Sequence, residues 1–402
     1  MTLHGAINLL LLLVSLLALV PAAVLFMQLA AAGLRRREEP APSAATPRSA
    51  TLAVLMPAHD EAGGIEPAIR AVVAQLGPGD RLLVVADNCS DATASVARAA
   101  GAEVVERQDA QRRGKGYALD FGVRWLERQP PGLVVIVDAD CIVAPHAIER
   151  LARQCLATVR PVQALYLMHA PPGAPLGMRI AEFAWVVKNK LRPLGGAALG
   201  WPCQLMGTGM AFPWPVIQRA PLASGHLVED MQLGLDLAAA GAPPGFCPHA
   251  LVSSVFPTES DAVTSQRTRW EHGHLSVIAS VGPRMLWRAV LSRNVVLAAM
   301  LLDLMVPPLA ALVLALAGLL LADAASWGLG GSVGPLGVAA AAALLLVCAV
   351  VLAWVQEGRR IVTLRELISL PLYVAAKIPV YVRLFTKRQV EWVRTKRDEQ
   401  RH

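Results

Sequence analysis

Two carboxylates separated by one residue can share a hard divalent cation, and the chain carries that pattern at Asp138-Ala139-Asp140. Residues 133–137 (LVVIV) read as a buried strand, so both acids fall where it opens into a loop. A cation held there can bind a diphosphate, although a plain acidic turn would produce the same letters. Three later clusters follow in order: Gly207-Thr208-Gly209, Glu229-Asp230 and Gln266-Arg267-Thr268-Arg269-Trp270. Glu229 and Asp230 precede a helical stretch (MQLGLDL), which puts Asp230 at a positive helix end, where it can take a proton from an attacking hydroxyl. Helix capping is the competing reading of the same pair. Arg269 offers a fixed cation for a departing phosphate and Trp270 a flat face for a sugar ring; membrane anchoring would also suit them.

Upstream, Asp60 or Glu61 and Asp87 can accept hydrogen bonds from a base or ribose, and Arg113-Gly114-Lys115-Gly116 adds a cation on flexible backbone. That last run lacks the spacing of a P-loop. Together the clusters describe group transfer from a nucleotide diphosphate donor. Mg²⁺ or Mn²⁺ at Asp138 and Asp140 would neutralise the charge that leaves.

The elements needed to position these groups are legible. Residues 52–56, 81–86, 102–106 and 133–137 read as strands, with helical stretches between them. This alternation predicts an α/β, Rossmann-like, mostly parallel sheet, whose ligands bind at the carboxyl ends of the strands. Asp60, Asp87, Asp91, Asp138 and Asp140 fall there.

The composition, 55% hydrophobic with a net charge of +7, suits a catalytic body carrying membrane segments. Residues 6–32 can span a bilayer, and Arg35-Arg36-Arg37 behind them place the next domain in the cytoplasm; a cleaved signal peptide is the rival. Residues 38–50 read as a linker. Residues 295–321 and 336–355 are two further spans, with Pro307-Pro308 kinking the first. Residues 367–384 read as interfacial or re-entrant, because a third crossing would strand the basic tail outside. Asp303 is either functional or satisfied by a neighbouring helix. Residues 176–191 suit a helix on the membrane surface or on the globular body. The six cysteines show no metal spacing and read as reduced thiols. His272 and His274 read as local structure rather than ligands. The basic tail fits anionic lipid, and no nucleic-acid module is present.

The series PAHDE, ADNCSD, GKGYAL, DAD, GTGM, VED and QRTRW resembles the membrane-bound inverting glycosyltransferases of family 2, GT-A-fold relatives of cellulose, hyaluronan and poly-N-acetylglucosamine synthases. The resemblance implies a UDP-sugar donor, Asp230 as catalytic base, and Mg²⁺ or Mn²⁺ at Asp138 and Asp140. It carries Asp60, Glu61, Asp87, Lys115 and Asp138 to the nucleotide-sugar pocket. Gln266, Arg269 and Trp270 would close over the nucleotide and the acceptor end. Gly207, Thr208, Gly209, Glu229 and Trp270 would line the acceptor site. ADNCSD departs from the pattern of many relatives, which have two acids and a glycine. The expected product is a growing polysaccharide or glycan of the cell envelope, with membrane lipid as a partner and room for a polysaccharide-secretion partner. Addition of one sugar to a lipid-linked oligosaccharide is the alternative, and a silent assembly component the lesser one. The expected location is the inner (plasma) membrane, multi-pass, with the catalytic domain cytoplasmic. The corresponding division is an anchor (1–34), a linker (35–50), a GT-A domain (51–273), an interfacial helix (274–294), two spans (295–360) and an interfacial segment with a basic tail (361–402).

Overall fold

The computed structural model describes residues 3–34, 48–224, 228–257, 260–378 and 381, with the backbone alone at 3, 260–268 and 372. The first half is a run of strand–helix units: β1 (Leu52–Ala58), α2 (Ile65–Val73), β2 (Arg81–Asp87), α3 (Thr93–Ala99), β3 (Glu103–Arg107), α4 (Lys115–Leu126) and β4 (Leu133–Ile136), following α1 (Leu3–Leu34). β1 to β4 are parallel, as the alternation predicts. Side chains alternate across a strand, and β1 feeds two cores. Leu52, Val54 and Met56 join one, with the buried face of α2; Ala53 and Leu55 join the other, with Ala118, Leu119 and Val123 of α4.

The sheet then becomes mixed. β5 (Ile142–Val143), α5 (Ala147–Thr158), β6 (Val162–His169), α6 (Leu176–Val186), a π turn (Val187–Leu191), α7 (Arg192–Ala198), β7 (Met210–Pro213), α8 (Trp214–Ile217), α9 (Glu229–Ala239) and β8 (Gly245–Val255) complete it. Its order is β3-β2-β1-β4-β7-β6-β8-β5. β7 runs antiparallel to β4, with Ile136 opposite Met210. The loop after β4 therefore meets the loop before β7, and Asp138 lies beside Thr208. This is a Rossmann-like GT-A sheet.

Among the described residues, three helices are long and apolar enough to cross a membrane: α1, α13 (Leu309–Gly328) and α14 (Gly334–Gln356). A single span is expected at 295–321, kinked at Pro307-Pro308. It divides instead into a short apolar helix, α12 (Val295–Leu304), and α13, because Pro307 and Pro308 lack the amide hydrogens that would carry the helix through. The boundary expected at 273/274 falls inside α10 (Ser260–Ser280), which precedes α11 (Gly282–Leu291). Within 367–384, α15 (Leu364–Ile368) and α16 (Leu370–Ala375) are short; 379–380 and the residues from 382 on lie outside the described residues, as do 35–47. Ile180, Phe183, Val186, Val187 and Leu191 pack into one apolar cluster with α1, α13 and α14. The segment at 176–191 thus joins the body to the membrane helices. All six cysteines are free.

Candidate active site

A cavity of about 300 Å³ lies at the carboxyl ends of β1, β2 and β4, reaching from Pro57 and Asn88 to Gln28 of α1 and Leu304 of α12. Asp138 and Asp140 line its centre. They offer, with Cys141, three ligand atoms within 4.8 Å of one another. Burial and the neighbouring acids hold the Cys141 thiol well above its usual range, so the two carboxylates are the donors suited to a hard cation. The backbone N–H of Asp138 donates to Thr208 Oγ1 at 3.0 Å.

Lys115 opens α4, behind Gly114 in a left-handed conformation at φ +124° that favours glycine. Its ammonium donates to Asp138 Oδ1 and, at 2.8 Å, to the Gly207 carbonyl. Burial would lower its pKa, but Asp138, Glu229 and Asp230 together raise it. Gly207 has φ +88°, and a Cβ there would stand 3.4 Å from both Lys115 Nζ and Asp230 Oδ2. The positive φ favours glycine here, and a side chain would touch both the cation and the carboxylate.

Glu229 and Asp230 form the first turn of α9 and also line the cavity. Met231 N–H donates to Asp230 Oδ1 at 2.9 Å. Both side chains keep some exposure to the cavity, yet the cavity lies deep enough to penalise their charged forms. Burial and then the adjacent Asp230 push Glu229 up to about 7, and burial raises Asp230 against the opposing Lys115. A raised carboxyl beside a cation suits proton transfer near neutral pH.

Glu61, Asp87, Arg269 and Trp270 line the same cavity. The Asp87 carboxylate is buried and receives Arg107 Nη1 at 2.5 Å. Asp60 is absent from the lining. It sits at φ +52° and accepts from the Ser90 backbone N–H at 2.6 Å, bracing the loop after β2. Thr208 is fully buried, and Gly209 packs against Ala164 and Val252, so neither reaches the cavity. The Gln266 side chain lies outside the described residues.

The sequence profile of the family described as "Glycosyltransferase like family 2" matches residues 47–273, enclosing all of these groups except the membrane-helix contacts. The chain belongs to glycosyltransferase family 2. No curated protein matches it. Among solved structures, this family 2 chain is similar to the mannosyltransferase PcManGT from Pyrobaculum calidifontis, determined with GDP-Man and Mn²⁺. Identity is 18%, over 96% of this chain and 100% of that one, with a TM-score of 0.56, a likeness of fold. Glucosyl-3-phosphoglycerate synthase from Mycobacterium tuberculosis, determined with Mn²⁺, UDP and glucosyl-3-phosphoglycerate, is 24% identical over 57% of this chain and 80% of that one, with a TM-score of 0.39.

Several lining residues of the family 2 chain carry no signal in the sequence. Trp185 stands 4.9 Å from Trp270, ring centre to ring centre, with Tyr166 edge-on to it at 5.5 Å. Lys188, Asn189 and Arg192 enter from the π turn and α7. Arg192 donates to Asp303 Oδ1 at 2.8 Å, and Gln28 to the same oxygen at 2.7 Å, so Asp303 is satisfied by neighbouring helices. His274 contacts the Leu304 carbonyl at 3.0 Å, a local structural role.

Proposed function

We propose that the chain is an inverting, metal-dependent glycosyltransferase that moves a sugar from a UDP-sugar to a glycan or lipid-linked acceptor in building the cell envelope. The observation that carries this reading is the convergence of Asp138, Asp140, Lys115, Glu229, Asp230 and Arg269 on one cavity. Asp138 and Asp140 would hold Mg²⁺ or Mn²⁺, the PcManGT structure having been determined with Mn²⁺, and the ion would neutralise the diphosphate.

In this mechanism Asp230 takes the proton of the acceptor hydroxyl as its oxygen bonds to the anomeric carbon. The bond from that carbon to UDP breaks, and one displacement inverts the centre. Lys115 keeps Asp138 in place, and its charge and that of Arg269 offset the departing diphosphate. Glu61 and Asp87 contact the nucleoside, and Asp60 positions their loop. Thr208 and Gly209 act through the backbone of Asp138 and the sheet, Gly207 beside the acceptor with Glu229. Trp270 gives the acceptor sugar a face, and Gln266 belongs with it on α10.

The membrane-spanning helices support placement in the inner (plasma) membrane, multi-pass, with the body in the cytoplasm. Addition of a single sugar to a lipid-linked acceptor is the second reading, supported by a cavity lined by Gln28 of α1 and Leu304 of α12. A polymer synthase would draw on a secretion partner. UDP release by the purified protein across UDP-sugars, with Mg²⁺ or Mn²⁺ and Asp230→Asn as control, tests the reading. Metal-dependent release with one donor, lost in the variant, supports it; release that survives in Asp230→Asn refutes the base.

A further inference from the structure

The inner end of the cavity, beyond Asp230, is built from groups that the transfer chemistry does not use. The Val187–Leu191 segment is a π turn, an insertion that disturbs helical hydrogen bonding and recurs at functional sites. Here it turns Val187 and Leu191 onto the membrane helices and Lys188 and Asn189 into the cavity. Asn189 is 1% exposed, and its Oδ1 has no hydrogen-bond partner. Gln204 Oε1, in the same lining, also has none. Buried carbonyl oxygens without donors are costly unless a ligand supplies the donor.

Lys188 is the complementary group. Its side chain is open to the cavity, while the cavity's depth depresses its pKa, burial being the largest cause. Its ammonium stands 5.6 Å from the Trp185 ring centre and makes no ion pair among the described residues. Arg192, the neighbouring cation, is neutralised by Asp303. The Lys188 ammonium, facing the cavity beside an already balanced pair, is placed to receive an anion. The lining at this end also includes Gln28 and Leu304 of α1 and α12.

We propose that this inner end is a phosphate subsite for a membrane-derived acceptor, with Lys188 as its anion-binding group and Asn189 Oδ1 receiving a nearby hydroxyl. The proposal rests on the transferase reading and narrows its acceptor to an anionic amphiphile. The phosphate sits on Lys188, and the hydrocarbon runs toward α1 and α12.

The test uses the full-length protein in neutral-detergent micelles, with farnesyl phosphate, farnesol and inorganic phosphate as probes, read by native mass spectrometry and tryptophan fluorescence. Farnesyl phosphate is expected to bind about tenfold more tightly than farnesol, the scale of one charge-assisted contact. Lys188→Met should erase that advantage at an unchanged melting temperature, and Lys188→Arg should keep it. Equal binding of the two lipids, or equal weakening of both by Lys188→Met, would overturn the subsite. Inorganic phosphate binding as tightly as farnesyl phosphate would overturn its membrane source. UDP release is read separately. Release without any phosphate preference sinks only the subsite, whereas silence with every donor sinks the transferase reading and leaves the binding result standing.

Discussion

At the scale of single residues, the site is an arrangement of charges whose balance sets its pH response. Asp230→Asn keeps the shape of the side chain and removes its basicity. It is expected to lower kcat by about 10³-fold with donor KM little changed, since general-base catalysis contributes roughly 10²–10⁴. Steady-state UDP release checks this. Glu229 makes a different prediction. Its folded pKa is raised to about 7, above the unfolded carboxyl value, so the native state binds its proton more tightly. The stability this provides is fully present below the unfolded pKa and is lost as pH rises through about 7. In chelator-treated protein, Glu229→Gln should therefore flatten the fall in melting temperature between pH 5 and 8. An unchanged slope would show that Glu229 does not titrate in this range. At Gly207, alanine would meet both a left-handed backbone and a Cβ 3.4 Å from Lys115 and Asp230. The strain is of order 1–2 kcal/mol, and the altered approach of the two groups should reduce turnover more than stability, which kinetics beside thermal unfolding would separate.

At the scale of elements, legibility in the sequence follows from where information is local. The four parallel strands and the acids at their ends were readable because apolar runs of β1, β2 and β4 are buried on both faces and end in loops rich in Asp, Asn and Gly. Asp138, Lys115 and Asp230 stand out in the sequence by type and spacing, and they line one cavity. The antiparallel return of β7, which puts Thr208 beneath Asp138, depends on long-range pairing that no local pattern encodes. The same holds for Arg107, which meets Asp87 only because β3 lies beside β2. The π turn is equally silent, because residues 187–191 (VKNKL) continue an ordinary helical pattern. Asp60 has the type and position of a nucleotide contact, and its carboxylate accepts from the neighbouring Ser90 and Asp91 amides, a use that the sequence does not signal. Packing between elements also makes a prediction. A Cβ at Gly195 of α7 would stand 1.8 Å from the Gln28 carbonyl of α1. Gly195→Ala must push the two helices apart, at a cost of about 3 kcal/mol or more, visible as a lowered melting temperature in detergent.

At the scale of the whole molecule, a catalytic body and a set of membrane helices share one cavity, and the joint between them is polar. Arg192 of α7 donates to both the side chain and the backbone of Asp303 on α12, while Gln28 of α1 donates to the Asp303 carboxylate. All three side chains are buried, with Arg192 and Asp303 at 7% and 9% exposure. A buried ion pair adds little net stability over an apolar replacement, but removing one partner leaves the other charge without compensation. Asp303→Leu should thus cost roughly 3–5 kcal/mol, and Arg192→Met a similar amount. The double variant Arg192→Met/Asp303→Leu should recover much of that loss, because it takes both charges out together. The four melting temperatures form a cycle whose coupling would be near zero if the joint were only a collection of independent contacts. The recovered double variant also separates stability from function. Its body and membrane helices remain packed through Ile180, Phe183 and Leu191 against α1 and α14. If the polar joint serves to hold the inner end of the cavity in register with Asp230, this variant should fold yet transfer sugar with a raised acceptor KM and an unaltered donor KM. A joint that matters for stability alone would leave both constants where they were.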